Sequence, residues 1–187
     1  MHSRTFLIRA TQSERQYQIV VDAETGPQYR LGELVFRNAS VAKQDELRAL
    51  IPLKRGDLFN VVKIREGLEE IGRFYGRLGY IDATPEPETF MDEEHQVIAI
   101  VILLDEGIQY RTGKIEILGL DPQSQTHLQS RLKVGDVFNK ATFEESLEEV
   151  KPSWPDSASP DRFATINRNM TQATVEIILD FRPCHPI

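Results

Sequence analysis

The sequence lacks the residues that usually mark a disulfide framework, a metal centre or a catalytic site. Cys184 is the single cysteine among 187 residues, so neither an internal disulfide nor a thiolate metal site can form. The four histidines are scattered, without a second histidine at ligand spacing. Phosphate loops, nucleophile elbows and zinc motifs are also missing. We therefore expect no catalytic residues, no metal and no cofactor.

Long apolar runs and concentrated positive charge are missing too. The longest apolar run, VIAIVILL at 97–104, has the length of a buried strand and not the roughly 20 residues of a membrane-spanning helix. The formal net charge is -7 and Lys and Arg are scattered, which argues against nucleic-acid binding. The N-terminal apolar stretch is too short for a signal peptide. The protein is thus either cytoplasmic or has a signal outside this chain.

What the sequence does contain is an internal repeat. The segment QYRLGELVFRN at 28–38 corresponds to QYRTGKIEILG at 109–119, and the turn GDLFN at 56–60 corresponds to GDVFN at 135–139. An apolar strand and an acidic residue precede both QYR segments. The predicted organisation is a remnant hairpin of a preceding unit at 1–26, one whole unit at 27–106 and a second unit at 107–187.

The first unit begins with a predicted strand and a short helix. Alternation of side chains predicts a strand at 29–36, with Leu31 and Val35 on one face and Leu34 and Phe36 on the other. Apolar residues at i, i+3 and i+4 then predict a short helix in KQDELRALI, and the proline that follows prevents its continuation.

A longer helix and two further strands complete the unit. Asn60 is placed to cap the helix, which has an apolar stripe and is predicted to end at Gly79. The next strand, Ile81–Phe90, contains Pro85 and Pro87, which confine it to a sheet edge. The most apolar strand then belongs in the middle. The predicted fold class is therefore α+β, with tandem β-α-α-β-β units. Each unit is a three-stranded mixed sheet in the order first, third, second, covered on one face by two helices.

These motifs together resemble the POTRA (polypeptide-transport-associated) domains of the outer-membrane β-barrel assembly factor and surface antigen family. In the first unit they are carried by Tyr29, Gly32, Gly56, Asp57, Phe59, Asn60, Tyr75, Gly79, Tyr80, Glu106 and Gly107. In the second unit they are carried by Tyr110, Gly113, Gly119, Gly135, Asp136, Phe138 and Asn139. The second unit departs from the pattern after its second helix, where the proline-rich run KPSWPDSASP begins.

The resemblance implies a function in protein transport and no enzymatic activity. It implies a periplasmic location, as the arm of an outer-membrane protein whose signal peptide and barrel are not in this chain. The implied partners are an unfolded outer-membrane protein or secreted polypeptide, accessory lipoproteins or chaperones, and the C-terminal β-barrel of the parent protein. Neither nucleic acid nor a small-molecule substrate is expected.

The resemblance also implies where a client chain binds. Such domains hold a partner by β-augmentation, in which the partner adds a strand to the exposed sheet edge beside the second helix. The residues that we expect to contact it are Ile81, Asp82, Ala83, Thr84, Thr89 and Phe90 on the edge strand and Arg73 and Arg77 on the helix. A few backbone hydrogen bonds of about 1 kcal/mol each barely exceed the cost of association, so we expect transient binding.

Two other functions fit the same sequence. The units could act only as a structural spacer of a secretion or division complex, in which case the joint between units matters and the edge does not. The joints DAETGPQYR and DEGIQYR are short and have no flexible linker, which predicts a semi-rigid arm. A hydrolase that uses the paired glutamates at 144–149 is the third alternative, although these residues flank an apolar stripe and are expected to form a solvated face.

Overall fold

Two three-stranded sheets with helices make up most of the structure, a computed structural model that describes residues 4–12, 15–23, 26–154 and 163–182. In chain order the elements are β1 (Arg4–Gln12), β2 (Arg15–Ala23), β3 (Arg30–Arg37), α1 (Gln44–Ala49), α2 (Val61–Arg77), β4 (Thr84–Asp92), β5 (Val97–Asp105), β6 (Arg111–Leu118), α3 (Pro122–Arg131), α4 (Lys140–Val150), a 3-10 turn (Lys151–Ser153), β7 (Ala164–Asn169) and β8 (Thr174–Asp180). The sheets have the orders β3-β5-β4 and β6-β8-β7. The predicted fold class and sheet order are confirmed.

β1 and β2 pair with each other in an antiparallel hairpin, with Arg4 opposite Ala23. The proposed division of the chain into a remnant and two units stays a prediction. Most of the proline-rich run that follows α4 lies outside the described residues, but β7 and β8 complete the second unit. Among the described helices, none combines the length and the hydropathy needed to cross a membrane.

The last strand of each unit lies at the centre of its sheet. β5 pairs in parallel with β3 and antiparallel with β4, and β8 pairs in the same way with β6 and β7. On β5 the side chains of Ile98, Ile100, Ile102 and Leu104 are buried in a core that α2 shares through Ile71 and other apolar residues. The helices therefore cover one face of each sheet, as the sequence pattern predicts.

A β-bulge in β3 makes the alternation of its side chains differ from the predicted one. The register between β3 and β5 shifts between Leu31 and Leu34, so that both residues, with Phe36, face the helices. Gly32 lies in the bulge, where a Cβ would come within 2.5 Å of the Val97 Cγ1 atom. β6 has the same shift beside Gly113. The glycine of the Tyr-x-x-Gly motif thus allows the strand to switch faces without a clash.

The GDLFN turn starts α2 and also covers the beginning of the outer edge of β3, at residues 29–31. Gly56 adopts a φ of 91°, and the Asn60 side chain accepts hydrogen bonds from the backbone N–H groups of Val62 and Lys63 at the start of α2. The Phe59 N–H donates to the Tyr29 carbonyl at 2.8 Å. The predicted cap is confirmed, and the first sheet keeps β4 as its second edge.

A carboxylate fastens the loop after β3 to α2. Glu106 accepts hydrogen bonds from the Tyr75 hydroxyl at 2.6 Å, from the Ser40 hydroxyl, and from the N–H groups of Ser40 at 2.9 Å and Val41 at 3.0 Å. Burial alone would raise the pKa of Glu106, but these hydrogen bonds outweigh it and hold the pKa below the ordinary value of 4.5. Tyr75 is fully buried, and this burial, together with the carboxylate, raises its pKa.

We expect Glu106→Gln to destabilise the chain at about pH 7 by about 1–3 kcal/mol, because a neutral amide oxygen accepts more weakly than a carboxylate from the Tyr75 hydroxyl and the two backbone N–H groups. A depressed carboxylate pKa stabilises the fold above the unfolded-state value of 4.5, and this contribution is lost as the pH falls through the folded-state pKa. The difference between wild type and variant in urea unfolding should therefore shrink at about pH 3. Glu70→Gln, an exposed partner of Arg73, is the control. An equal difference at both pH values would contradict this account.

Candidate functional site

The edge strand β4 is displaced along the sequence from its predicted position. It runs from Thr84 to Asp92, so Ile81, Asp82 and Ala83 precede it, contrary to the predicted strand at 81–90. The reason is that two of the three residues contact the second unit. Ile81 packs against the second core, and Asp82 bonds to the side chains of Tyr110 and Arg168. No other described strand pairs with the outer side of β4.

Two prolines determine which backbone groups of β4 point outward. Pro85 and Pro87 lie in an uninterrupted register with β5, opposite Leu104 and Ile102. Because proline has no N–H to donate, these positions cannot be hydrogen-bonded pairs, and their backbone groups point to the free edge. In an antiparallel strand every second residue points the same way, so Thr89 and Met91 also direct their N–H and C=O groups outward.

The outward edge of β4 thus offers donors at two positions only. The N–H groups of Thr89 and Met91 are available, whereas the prolines contribute carbonyl acceptors alone. Thr84 and Phe90, two residues of the predicted site, direct their backbone groups toward β5. Sequence reasoning placed Thr89 at the edge but missed Met91, although the spacing from Pro85 and Pro87 indicates it.

Side chains at the end of β4 add apolar surface to this edge. Phe90 is 55% exposed and Met91 is 61% exposed, although both are large and apolar. The register places Met91 opposite Ile98, on the side of the helices, and Phe90 opposite Ala99, on the other side. A strand that paired with Thr89 and Met91 would find an apolar side chain on either face of the sheet.

Arg73 and Arg77 line a groove of about 410 Å³ between α2 and α4. The groove reaches the start of β4 through Ile81 and Ala83. Its remaining lining residues are Glu69, Gly72, Gly76, Lys140, Ala141 and Glu144. The two arginines therefore lie near the residues that precede β4 and not along its outward edge, and Arg73 forms exposed ion pairs with Glu69 and Glu70.

The joint between the two units is held by a shared carboxylate. Asp82 accepts a hydrogen bond from the Tyr110 hydroxyl at 2.8 Å, and its other oxygen lies 3.0 Å from the Arg168 Nε atom. Tyr110 is fully buried, and this burial is the main reason that its pKa is raised. The hydrogen bond to Asp82 raises the pKa further. Asp82 belongs to the first unit, whereas both partners belong to the second.

Hydrogen bonds to backbone carbonyls at the end of α2 also hold this joint. The Tyr110 N–H donates to the Gly79 carbonyl at 2.9 Å, and the Gln109 side-chain amide donates to the Leu78 carbonyl at 2.9 Å. Gly79 has a φ of 86°, and a Cβ there would lie 2.7 Å from the Val137 Cγ1 atom. Gly79, which is predicted from the sequence to end the helix, thus also forms part of the contact between the units.

The four glutamates of α4 form contacts with basic residues at the surface. Glu149 lies 2.6 Å from His127, Glu148 lies 2.8 Å from Lys151, and the other two glutamates of α4 also approach basic residues. The described residues contain no group of three or more His, Cys, Asp or Glu side chains that could hold a metal ion. This arrangement gives no support to the hydrolase alternative.

Comparison with known proteins connects this geometry to one family. The sequence model of the POTRA family, described as surface antigen variable number repeat, matches residues 29–107. A protein of Treponema pallidum (strain Nichols) named "Putative outer membrane protein assembly factor" is 29% identical over 127 residues. That match covers 67% of this chain but only 15% of the length of the relative.

Two solved structures share the fold. The crystal structure of Haemophilus influenzae BamA POTRA domains 3 to 5 superposes with a TM-score of 0.68 at 18% identity, over 96% of this chain and 72% of that one. BamA from Haemophilus ducreyi lacking POTRA domains 1 to 3 superposes with a TM-score of 0.64 at 18% identity, over 82% of this chain and 30% of that one. The chain therefore contains a POTRA domain, matched at residues 29–107, and both of its β-α-α-β-β units have the fold of the BamA POTRA domains.

Proposed function

We propose that this chain is part of the periplasmic arm of an outer-membrane protein assembly or translocation pore. Its role there is to bind unfolded client chains or partner proteins transiently by β-augmentation, without catalysing a reaction. The observation that carries this proposal is the edge of β4, where Thr89 and Met91 direct unpaired backbone groups outward between two exposed apolar side chains.

The hydrogen-bonding capacity of the edge supports weak binding. A partner strand could accept from the two available N–H groups and donate to about two of the neighbouring carbonyls. Four such bonds of about 1 kcal/mol each give about 4 kcal/mol, which is close to the lowest cost of association. Contacts with Phe90 and Met91 would supply the remaining affinity. Dissociation constants near the millimolar range suit a client that is passed on.

The partners follow from the same proposal. The client is an unfolded outer-membrane protein or a secreted polypeptide, and accessory lipoproteins or chaperones are further candidates. A C-terminal barrel of a longer parent protein would hold the arm at the membrane. Because the chain matches only 15% of its longer relative, these statements about the whole protein belong to the proposal.

A structural spacer is the second candidate, and the joint favours it. The contacts of Asp82 with Tyr110 and Arg168, and of Gly79 with Val137, hold the end of the first unit against the second. An arm with such a joint could set the distance between a membrane pore and soluble partners without binding a client at the edge.

Replacing the two outward donors tests the first candidate. We expect Thr89→Pro combined with Met91→Pro to abolish binding of strand peptides from an unfolded β-barrel protein, because both N–H groups are lost. The fold should persist, since Pro85 and Pro87 already occupy equivalent positions of β4. The measurement is an amide NMR titration, with Thr89→Val as the matched control that keeps the N–H. Unchanged peptide binding by the double proline variant would contradict the proposal.

Removing the shared carboxylate tests the spacer. We expect Asp82→Ala to loosen the joint and to destabilise the second unit by about 1–3 kcal/mol, because the buried Tyr110 hydroxyl loses its acceptor. Small-angle X-ray scattering and residual dipolar couplings would show a wider range of inter-unit orientations, and Trp154 fluorescence would follow the unfolding of the second unit. Asp92→Ala, at the far end of β4, is the control. Inter-unit couplings identical to those of the wild type would contradict a joint held by Asp82.

A further inference from the structure

One face of the first sheet carries a column of apolar side chains that the helices do not cover. Val97, Ala99, Val101 and Leu103 alternate along β5 with the buried residues, and each is half-buried. The register with β3 places Val35 beside Val101. We call the surface formed by these five residues the open face.

The second sheet shows that the fold does not require an apolar open face. The four positions of β8 that correspond to the column on β5 hold Thr174, Glu176, Ile178 and Asp180. Glu116 of β6 lies beside Ile178, as Val35 lies beside Val101. The same fold therefore forms with mostly polar side chains at these positions. Exposed apolar surface that the fold does not need is typical of an interaction site.

The border of the open face along β4 is acidic. The register places Glu86 beside Leu103 and Glu88 beside Val101. Both glutamates are exposed, and neither forms a salt bridge with any residue in the described part of the chain. Phe90 continues the same border beside Ala99. On the opposite border, the register places the exposed Arg37 of β3 beside Leu103. A partner that covers the open face would therefore gain from basic groups above β4 and not above β3.

We propose that the open face binds an amphipathic helix of a partner protein, with an apolar stripe that has Lys or Arg along the border above β4. Three strands spaced by about 4.8 Å present a surface about 10 Å wide, which matches the diameter of one helix. β5 is paired on both sides, so this face offers side chains and no free backbone groups. A helix that buries side chains suits it better than an added strand. This site is separate from the β4 edge and does not depend on the function proposed above.

Designed peptides test this inference on the whole 187-residue chain. One peptide of about 18 residues forms a helix with a leucine stripe that has lysines along one border, and the second has glutamates in place of these lysines. We expect the lysine-bordered peptide to shift the methyl NMR signals of Val97, Val101 and Leu103 and to bind about tenfold more tightly than its counterpart.

Three variants make the test specific. Val101→Thr with Leu103→Thr should weaken binding about tenfold, because the leucine stripe loses its apolar contacts. Ile178→Thr, at the corresponding position of the second sheet, should have no effect. Glu86→Lys with Glu88→Lys should reverse the preference in favour of the glutamate-bordered peptide, and these two exposed side chains can change without loss of the fold.

Several outcomes would overturn the inference. Equal affinity for the two peptides, an equal loss in Ile178→Thr, or methyl shifts away from the open face would each exclude a basic amphipathic helix as the occupant. Self-association of the chain that Val101→Thr with Leu103→Thr abolishes would make a second copy the occupant instead. The variant with prolines at 89 and 91 should bind the lysine-bordered peptide as wild type does, which separates this site from the β4 edge.

Discussion

The central position of β5 is the constraint on which the rest of the first unit depends. Because β5 pairs on both sides, its own backbone groups are satisfied, and β3 and β4 become the two edges. The GDLFN turn covers the beginning of the outer edge of β3, and no described strand pairs with the outer side of β4. The alternation of β5 divides its side chains between the helix-covered core and the open face. One strand thus determines both surfaces for which we propose a function.

Short polar contacts at the ends of helices and strands link a loop to α2 and the first unit to the second. Glu106 fastens the loop after β3 to Tyr75 of α2, and Asp82 fastens the residues before β4 to Tyr110 of the next unit. Each carboxylate accepts a hydrogen bond from a fully buried tyrosine. Side chains near the β4 edge therefore also hold the units together, and Asp82 does so through Tyr110 and Arg168.

Sequence reasoning predicted the fold well, because it rested on features that local physics determines. Apolar spacing, the Asn60 cap and the prolines of the edge strand lead to the observed elements and sheet order. The start of β4 was predicted three residues too early, since the contacts that engage Asp82 come from residues 28 and 86 positions away. The bulge at Gly32 was also missed, because alternation in one strand does not show the register with its neighbour.

Amide hydrogen exchange of the free chain tests the central claim most directly. The orientation of β4 predicts that the N–H groups of Glu86, Glu88 and Phe90 are protected by bonds to β5, whereas those of Thr89 and Met91 exchange fast. Protection that alternates in this order would establish the free edge. Protected Thr89 and Met91 beside fast-exchanging Glu88 and Phe90 would contradict it, because β4 would then direct its donors into the sheet.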